Sequence, residues 1–115
     1  MELTQLDRLS MLDELNERSY QNDDGVMIFK HSARCGVSSW VWKNLQSDWE
    51  KDLDSPVYFL DLLKFRDISD RIAQSFGIRH ESPQLIWIKN GQVGFHASHS
   101  AANFEQLKRR MIERT

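Results

Sequence analysis

The chain has 115 residues, of which 40% are hydrophobic and 28% are charged, and its formal net charge is -2. This length fits one domain, which we expect to span residues 1–115, and the lack of excess positive charge argues against a nucleic-acid partner. The single cysteine excludes an internal disulfide, and no apolar run approaches the roughly 18 residues of a membrane span. We therefore expect a protein of the reducing cytoplasm, without a membrane partner.

The first half of the chain has a helix-strand-helix pattern. Leucines spaced three apart over residues 3–15 predict an amphipathic helix. Residues 26–30 are an apolar run without polar alternation, which predicts a strand buried on both faces of a sheet. From residue 36 to about residue 51 the apolar positions return near helical spacing, until Asp54-Ser55-Pro56 ends the segment.

The second half adds two helices and three strands. Residues 57–63 form another buried-type strand, and residues 67–77 predict a helix that Gly77 ends. Asn90-Gly91 joins two apolar runs as a type I′ hairpin, and residues 104–112 predict a closing helix. The order α-β-α-β-α-β-β-α, with right-handed crossovers, predicts an α/β thioredoxin-like fold, in which helices flank a four-stranded mixed sheet.

Cys35 falls between the carboxyl end of the first strand and the amino end of the next helix. There the backbone N–H groups of Val37 and Ser38, the helix dipole and the charge of Arg34 would stabilise a thiolate. Ser38 occupies the position of the second cysteine in a Cys-x-x-Cys pair, and its hydroxyl could donate to the sulfur. Cys35 could thus attack a disulfide, but release would need another thiol. Alternatively, Cys35 is only a small buried hydrophobe.

Ser82-Pro83 precedes the hairpin. A cis bond there would turn the Ser82 backbone toward the helix N-terminus, where an extended partner could pair with it, although most X-Pro bonds are trans. His31 and His80 are candidates for proton transfer or charge pairing near Cys35, and solvated loop histidines are the alternative.

The last helix has its own candidate site. Ser98 and His99 precede it, and its free N–H groups could bind the carboxylate of a small thiol or simply be capped. His96 and His99 have a His-x-x-His spacing, but no further ligand accompanies them, so we predict no metal site. The second helix carries tryptophans that cannot all face one core, and an exposed one near the thiol would suit a protein partner. These are Trp40, Trp42 and Trp49.

Three stretches, IFKHSARCGVS, YFLDLLKFRDISDRIAQSFGIRHESPQ and NGQVGFHASH, together resemble the monothiol bacilliredoxin family of thioredoxin-like redox proteins. The resemblance implies an active-site cysteine at Cys35, a cis-proline at Pro83, and bacillithiol as co-substrate in mixed disulfides with proteins, with no tightly bound cofactor. The catalytic set is then Cys35, Ser38 and Pro83. The residues predicted to contact the small thiol or protein partner are Arg34, Gly36, Val37, His80, Ser82, Ser98 and His99.

One departure from the family leaves alternatives open. The family usually has Thr-Cys-Pro-Ile-Ser where this chain has Arg34-Cys35-Gly36-Val37-Ser38, so the first helical turn should be more mobile and more cationic. Cys-Gly-Val-Ser also differs by one residue from the Cys-Gly-Phe-Ser of monothiol glutaredoxins, which resemblance would link to glutathione or an iron–sulfur cluster. A redox-inactive binding module with this fold is a third hypothesis.

Overall fold

The computed structural model describes residues 1–113. None of the helices in that range is both long enough and apolar enough to span a membrane. The elements in chain order are β1 (Leu3–Gln5), α1 (Met11–Gln21), β2 (Val26–His31), α2 (Gly36–Asp48), β3 (Val57–Asp61), α3 (Arg66–Phe76), β4 (Gln84–Lys89), β5 (Gln92–Ser98), a 3-10 turn (His99–Ala101) and α4 (Phe104–Glu113).

The strands form one mixed sheet in the order β1-β3-β2-β4-β5. β1 and β2 both run parallel to β3, whereas β4 is antiparallel to both β2 and β5. β2 is therefore central, and its carboxyl end lies beside the start of β4. The predicted α/β arrangement of a mixed sheet flanked by helices is confirmed, with one strand more than the four predicted.

The helix predicted over residues 3–15 is wrong in its first part. Leu3–Gln5 is a strand, and α1 begins only at Met11. Leu6 is fully buried just after β1, and its N–H donates to the Phe59 carbonyl at 2.8 Å. Pairing with β3 thus satisfies backbone groups that a helix would have satisfied itself, and tertiary contacts override the helical spacing of the leucines.

The predicted turn residues have the conformations that their positions require. Asn90 and Gly91 have φ of 53° and 73°, as a type I′ hairpin turn needs, and Gly77 ends α3 with a φ of 64°. Two element ends differ from prediction. α2 ends at Asp48 rather than near residue 51, and β3 ends at Asp61 rather than residue 63.

Alternate residues of β2 face two separate apolar layers. Ile28 packs into the layer under α1 and α3, whereas Phe29 packs into the layer with α2 and α4. The alternation continues past the apolar run. Lys30 therefore points toward α3 and His31 toward α2, and each side chain has hydrogen-bond partners on that helix.

Candidate functional site

Cys35 lies where β2 gives way to α2. It is the N-cap residue of α2, with φ of -106° and ψ of 114°, and it is partly exposed. Its N–H donates to the Ser32 carbonyl at 3.1 Å, and its own carbonyl accepts from Ser39 N–H at 3.3 Å. The backbone therefore holds the thiol at the amino end of the helix, while the side chain makes no capping hydrogen bond.

Ser38 has different partners from the one expected. Its hydroxyl oxygen lies 2.8 Å from His31 Nδ1 and accepts the Ser32 N–H at 3.1 Å. We expected this hydroxyl to donate to the sulfur of Cys35, but within residues 1–113 it has no hydrogen bond to that sulfur. Ser38 is fully buried and faces the sheet, where the ring nitrogen of His31 is within reach. The catalytic role of Ser38 stays a prediction.

His31 sits on an aromatic cluster. Its ring centroid is 5.2 Å from that of Phe59, which in turn lies 4.9 Å from Trp42. Burial lowers the pKa of His31 below its ordinary value of 6.5, and the nearby charge of Asp61 opposes that shift. The imidazole is therefore neutral at pH 7 and can accept a hydrogen bond or a proton.

The Ser82-Pro83 bond is cis, as the resemblance implied. Pro83 is buried at the start of β4, and its carbonyl accepts the N–H of His99 at 3.0 Å. Two buried oxygens beside this proline, Ser82 Oγ and Gln84 Oε1, have no hydrogen-bond partner within the described part of the chain. The segment thus places polar atoms next to the cis bond, at the edge of the sheet where β2 ends.

A second group of polar residues, which sequence reasoning did not connect, lies on the α3 face of the sheet. Lys30 is fully buried, and its Nζ donates to the Ser69 carbonyl at 3.1 Å and lies 3.2 Å from His80 Nδ1. The sequence contained a signal for it. A lysine at a core-facing position of a buried strand needs buried partners.

The other predicted residues around the thiol are exposed. Arg34, Gly36 and Val37 all reach solvent beside Cys35. A Cβ built at Gly36 meets no atom within 4 Å, so packing does not demand a glycine there. Trp40 is 58% exposed on the same helix, which confirms the expectation that one of its tryptophans lies at the surface.

Ser98 and His99 precede the last helix, as predicted, but other residues separate them from its N-terminus. α4 begins only at Phe104, and Asn103 caps it by accepting the Gln106 N–H at 2.9 Å. Ser98 instead ends β5, and His99, with a φ of 55°, begins the 3-10 turn against Pro83. This turn separates both residues from α4. Their role in binding stays a prediction.

The described part of the chain brings no further metal ligand to the His-x-x-His pair. Within residues 1–113, no three His, Cys, Asp or Glu side chains converge in a way that could hold a metal ion. His96 is exposed on β5.

A cavity of about 490 Å³ lies at the far end of the sheet from Cys35, where Trp87, Lys89 and Asn90 line it. A smaller depression of about 210 Å³ lies between Trp40 on α2 and the turn that precedes α4. Cys35 is not among the residues that line either of these two cavities.

Comparison with known proteins places this geometry in context. The family model for monothiol bacilliredoxin BrxC matches residues 4–107. A solved structure assigned as an oxidoreductase with a thioredoxin fold is 26% identical, with a TM-score of 0.80, and the match covers 94% of this chain and 92% of that one. A thioredoxin from Nicotiana alata is 14% identical, with a TM-score of 0.71 and coverage of 97% and 91%. A thioredoxin from Malassezia sympodialis is 19% identical, with a TM-score of 0.66 and coverage of 98% and 90%. The fold is thus thioredoxin-like.

Proposed function

The chain belongs to the monothiol bacilliredoxin family, and from that premise we propose that it exchanges mixed disulfides through Cys35, with bacillithiol as the small thiol. A thiol redox role follows from the family. The use of bacillithiol and the assignment of individual residues are our proposal.

The position of Cys35 is the observation that carries the proposal. A partly exposed thiol begins α2, and the cis Ser82-Pro83 bond opens the strand that pairs with β2. Backbone N–H groups at a helix N-terminus favour the negative charge of a thiolate. Backbone beside the proline can pair with an extended partner. Together these two features support a thiol-exchange site where β2 ends and β4 begins.

The reaction needs only sulfur exchange. The Cys35 thiolate attacks the bacillithiol sulfur of a protein–bacillithiol mixed disulfide, and the protein leaves as a thiolate that takes up a proton. Cys35 then holds bacillithiol in a new disulfide. A second bacillithiol thiolate attacks that disulfide, releases the Cys35 thiolate and forms bacillithiol disulfide. Each step breaks one S–S bond and forms one, and the chain has no second cysteine to replace the external thiol.

We assign Ser38 and His31 to holding the first turn of α2 against the end of β2, which positions the Cys35 thiol. The Ser38 hydroxyl contacts His31 Nδ1 and belongs to the first turn of α2, three residues after the thiol. Arg34 supplies a positive charge beside Cys35 for a carboxylate of the small thiol.

The proposed partners are S-thiolated proteins and bacillithiol, in the cytoplasm. A single thiol can turn over only where reduced small thiols are abundant, and this is a property of the cytoplasm. Exposed Val37 and Trp40 follow Cys35 on α2 and offer an apolar surface to a protein partner.

The test is the intact mass of the reduced protein after brief exposure to oxidised bacillithiol or, in parallel, oxidised glutathione. We expect one bacillithiol adduct on the parent, slower reaction with glutathione, and no adduct on Cys35→Ser. No adduct from either disulfide would overturn the proposal in favour of a redox-inactive binding module.

The monothiol glutaredoxin alternative predicts a different outcome. Gly36 gives the chain the Cys-Gly start of that motif. Faster reaction with glutathione, or purification of a brown protein that holds an iron–sulfur cluster together with glutathione, would support the alternative and contradict the choice of bacillithiol.

A further inference from the structure

Three elements bring polar groups together on the face of the sheet opposite α2. Lys30 of β2 places its Nζ 3.1 Å from the Ser69 carbonyl oxygen and 3.2 Å from His80 Nδ1. The hydroxyl of Ser69, on α3, lies 3.0 Å from the same ring nitrogen. Lys30 and Ser69 are fully buried, whereas His80 belongs to the surface loop before β4.

The donors fix the protonation state of His80. An ammonium group can only donate, so Nδ1 must accept, and the ring proton is on Nε2. Protonated His80 would point an N–H at the Lys30 ammonium. Burial and then the charge of Lys30 lower the pKa of His80, with a smaller contribution from Arg66, while Asp70 and Glu81 oppose the shift. His80 is therefore neutral at pH 7.

A buried lysine is costly, because charge loses its hydration. That burial lowers the pKa of Lys30 to about 8, and the negative charge of Asp70 limits the shift. The ammonium is still the main form at pH 7. Lys30 Nζ contacts Ser69 and His80, so the side chain spans from the central strand to the loop.

The loop that His80 belongs to leads directly to the cis-proline. His80 is three residues before Pro83, and Gln84 Nε2 donates to the Arg79 carbonyl at 3.0 Å across the same loop. Lys30 also lies opposite Gln84 in the pairing of β2 with β4. The side chain of Lys30 thus contacts the loop at His80, and its backbone pairs with Gln84, where the loop ends.

We propose that Lys30 is a positioning residue, which acts through neutral His80 to hold residues 80–83 where the cis Ser82-Pro83 bond receives the disulfide partner of Cys35. This inference rests on the proposed function. Acid that protonates His80 breaks the Lys30 contact and releases the loop, so exchange slows for a reason separate from the thiol itself.

The test compares two rates on the same variants between about pH 5.5 and 8, the range in which histidines titrate. Alkylation by iodoacetamide reports the thiolate of Cys35 alone. Exchange with a cysteine peptide held in a mixed disulfide with bacillithiol also needs the loop. The ratio of exchange to alkylation isolates the contribution of the loop and is measured against pH.

We expect His80→Leu to lower that ratio about tenfold, because misplaced binding groups slow a reaction without changing its chemistry. His80→Asn places an amide oxygen near the former Nδ1 and cannot be protonated, so it should restore most of the ratio and remove its acid decline. Lys30→Met should resemble His80→Leu. Lys89→Met is the matched control, since its Nζ bonds to Asn22 at the far end of the sheet.

The outcomes separate the inference from the proposed function. An unchanged ratio in His80→Leu, or an equal fall in alkylation, overturns the positioning role and leaves the proposed function standing. If the wild-type protein does not exchange with any mixed disulfide, both the positioning role and the proposed function are overturned. If Lys30→Met does not fold, the comparison of His80→Leu with His80→Asn decides the question, because His80 is exposed.

Discussion

The hydroxyl oxygen of Ser38 lies 2.8 Å from Nδ1 of His31 and joins the first turn of α2 to the end of β2. The same oxygen accepts the N–H of Ser32, in the loop that leads to the cysteine. One buried hydroxyl thus connects the three segments that surround Cys35. Ser38 fixes where the helix N-terminus stands relative to the sheet, and so where the thiol stands.

Ser38→Ala removes both hydrogen bonds at once. The Ser32 N–H and the ring nitrogen of His31 would be left without a partner in a largely buried place, and we expect the free energy of unfolding to fall by about 1–3 kcal/mol. Urea denaturation measures it. Ser39→Ala, at the exposed neighbouring position, should change it by less than about 0.5 kcal/mol. Equal effects of the two substitutions would show that the Ser38 hydroxyl carries no special contacts.

His31 should titrate below its ordinary pKa of 6.5, because burial disfavours the charged ring more than Asp61 favours it. The unfolded chain then binds the proton more tightly, so this group makes unfolding free energy rise with pH up to about 6.5. Asp61→Asn removes the opposing charge and should lower the pKa of His31 further. NMR titration of the His31 ring protons measures both values. A higher pKa in Asp61→Asn would contradict the account.

The sequence predicted those parts of the molecule that depend on local rules. Asn90-Gly91 and Gly77 required positive φ, and the run at residues 26–30 was apolar enough to specify a central strand. Leu3 was misassigned because the spacing of the leucines fits a helix, and the pairing with β3 that overrides this spacing is not visible in the local sequence. The buried position of Lys30 implied hydrogen-bond partners, but their identity could not be predicted, since His80 is 50 residues away in the sequence.

Lys30 should make the stability of the protein depend on pH in the alkaline range. Its pKa is lowered from 10.5 to about 8 in the folded chain, so between these values the unfolded chain binds more protons. The contribution of Lys30 to unfolding free energy therefore rises with pH across that interval. Urea denaturation at a series of pH values should show this rise in wild type and in Lys89→Met. Lys30→Met should lose it, and an unchanged profile in that variant would refute the shift.

Gly36 can be replaced by the proline that the family usually has. It is the first residue of α2, where a missing N–H is tolerated, and the extended backbone of Cys35 suits a residue before proline. Because nothing lies within 4 Å of an added Cβ, Gly36→Pro should raise unfolding free energy by about 0.4–1 kcal/mol.

Thermal denaturation measures the effect of Gly36→Pro, and Gly77→Ala provides the contrast. Gly77 has a φ of 64°, so a side chain there should cost about 1–2 kcal/mol despite equally open surroundings. If Gly36→Pro destabilised the protein as much as Gly77→Ala does, the first turn of α2 would need glycine for its backbone conformation.

Trp40 should affect exchange with proteins but not with small disulfides. It is 58% exposed on α2, five residues after Cys35, and borders the depression beside the turn before α4. A large aromatic ring at the surface gains most when a partner covers it, so Trp40→Ala should slow exchange with an S-thiolated protein several-fold, as loss of an aromatic contact does at an interface.

The rate with oxidised bacillithiol should stay unchanged in Trp40→Ala, because a small disulfide reaches Cys35 without covering the ring. Tyr20→Ala is the matched control, since Tyr20 is 60% exposed but packs beside Gly91 at the hairpin turn, at the opposite end of the sheet. Equal slowing with both disulfides would mean that Trp40 acts on the thiol through α2. Slowing with the protein alone shows that partners dock on this face of the helix, and the exposure of the ring then has a functional reason.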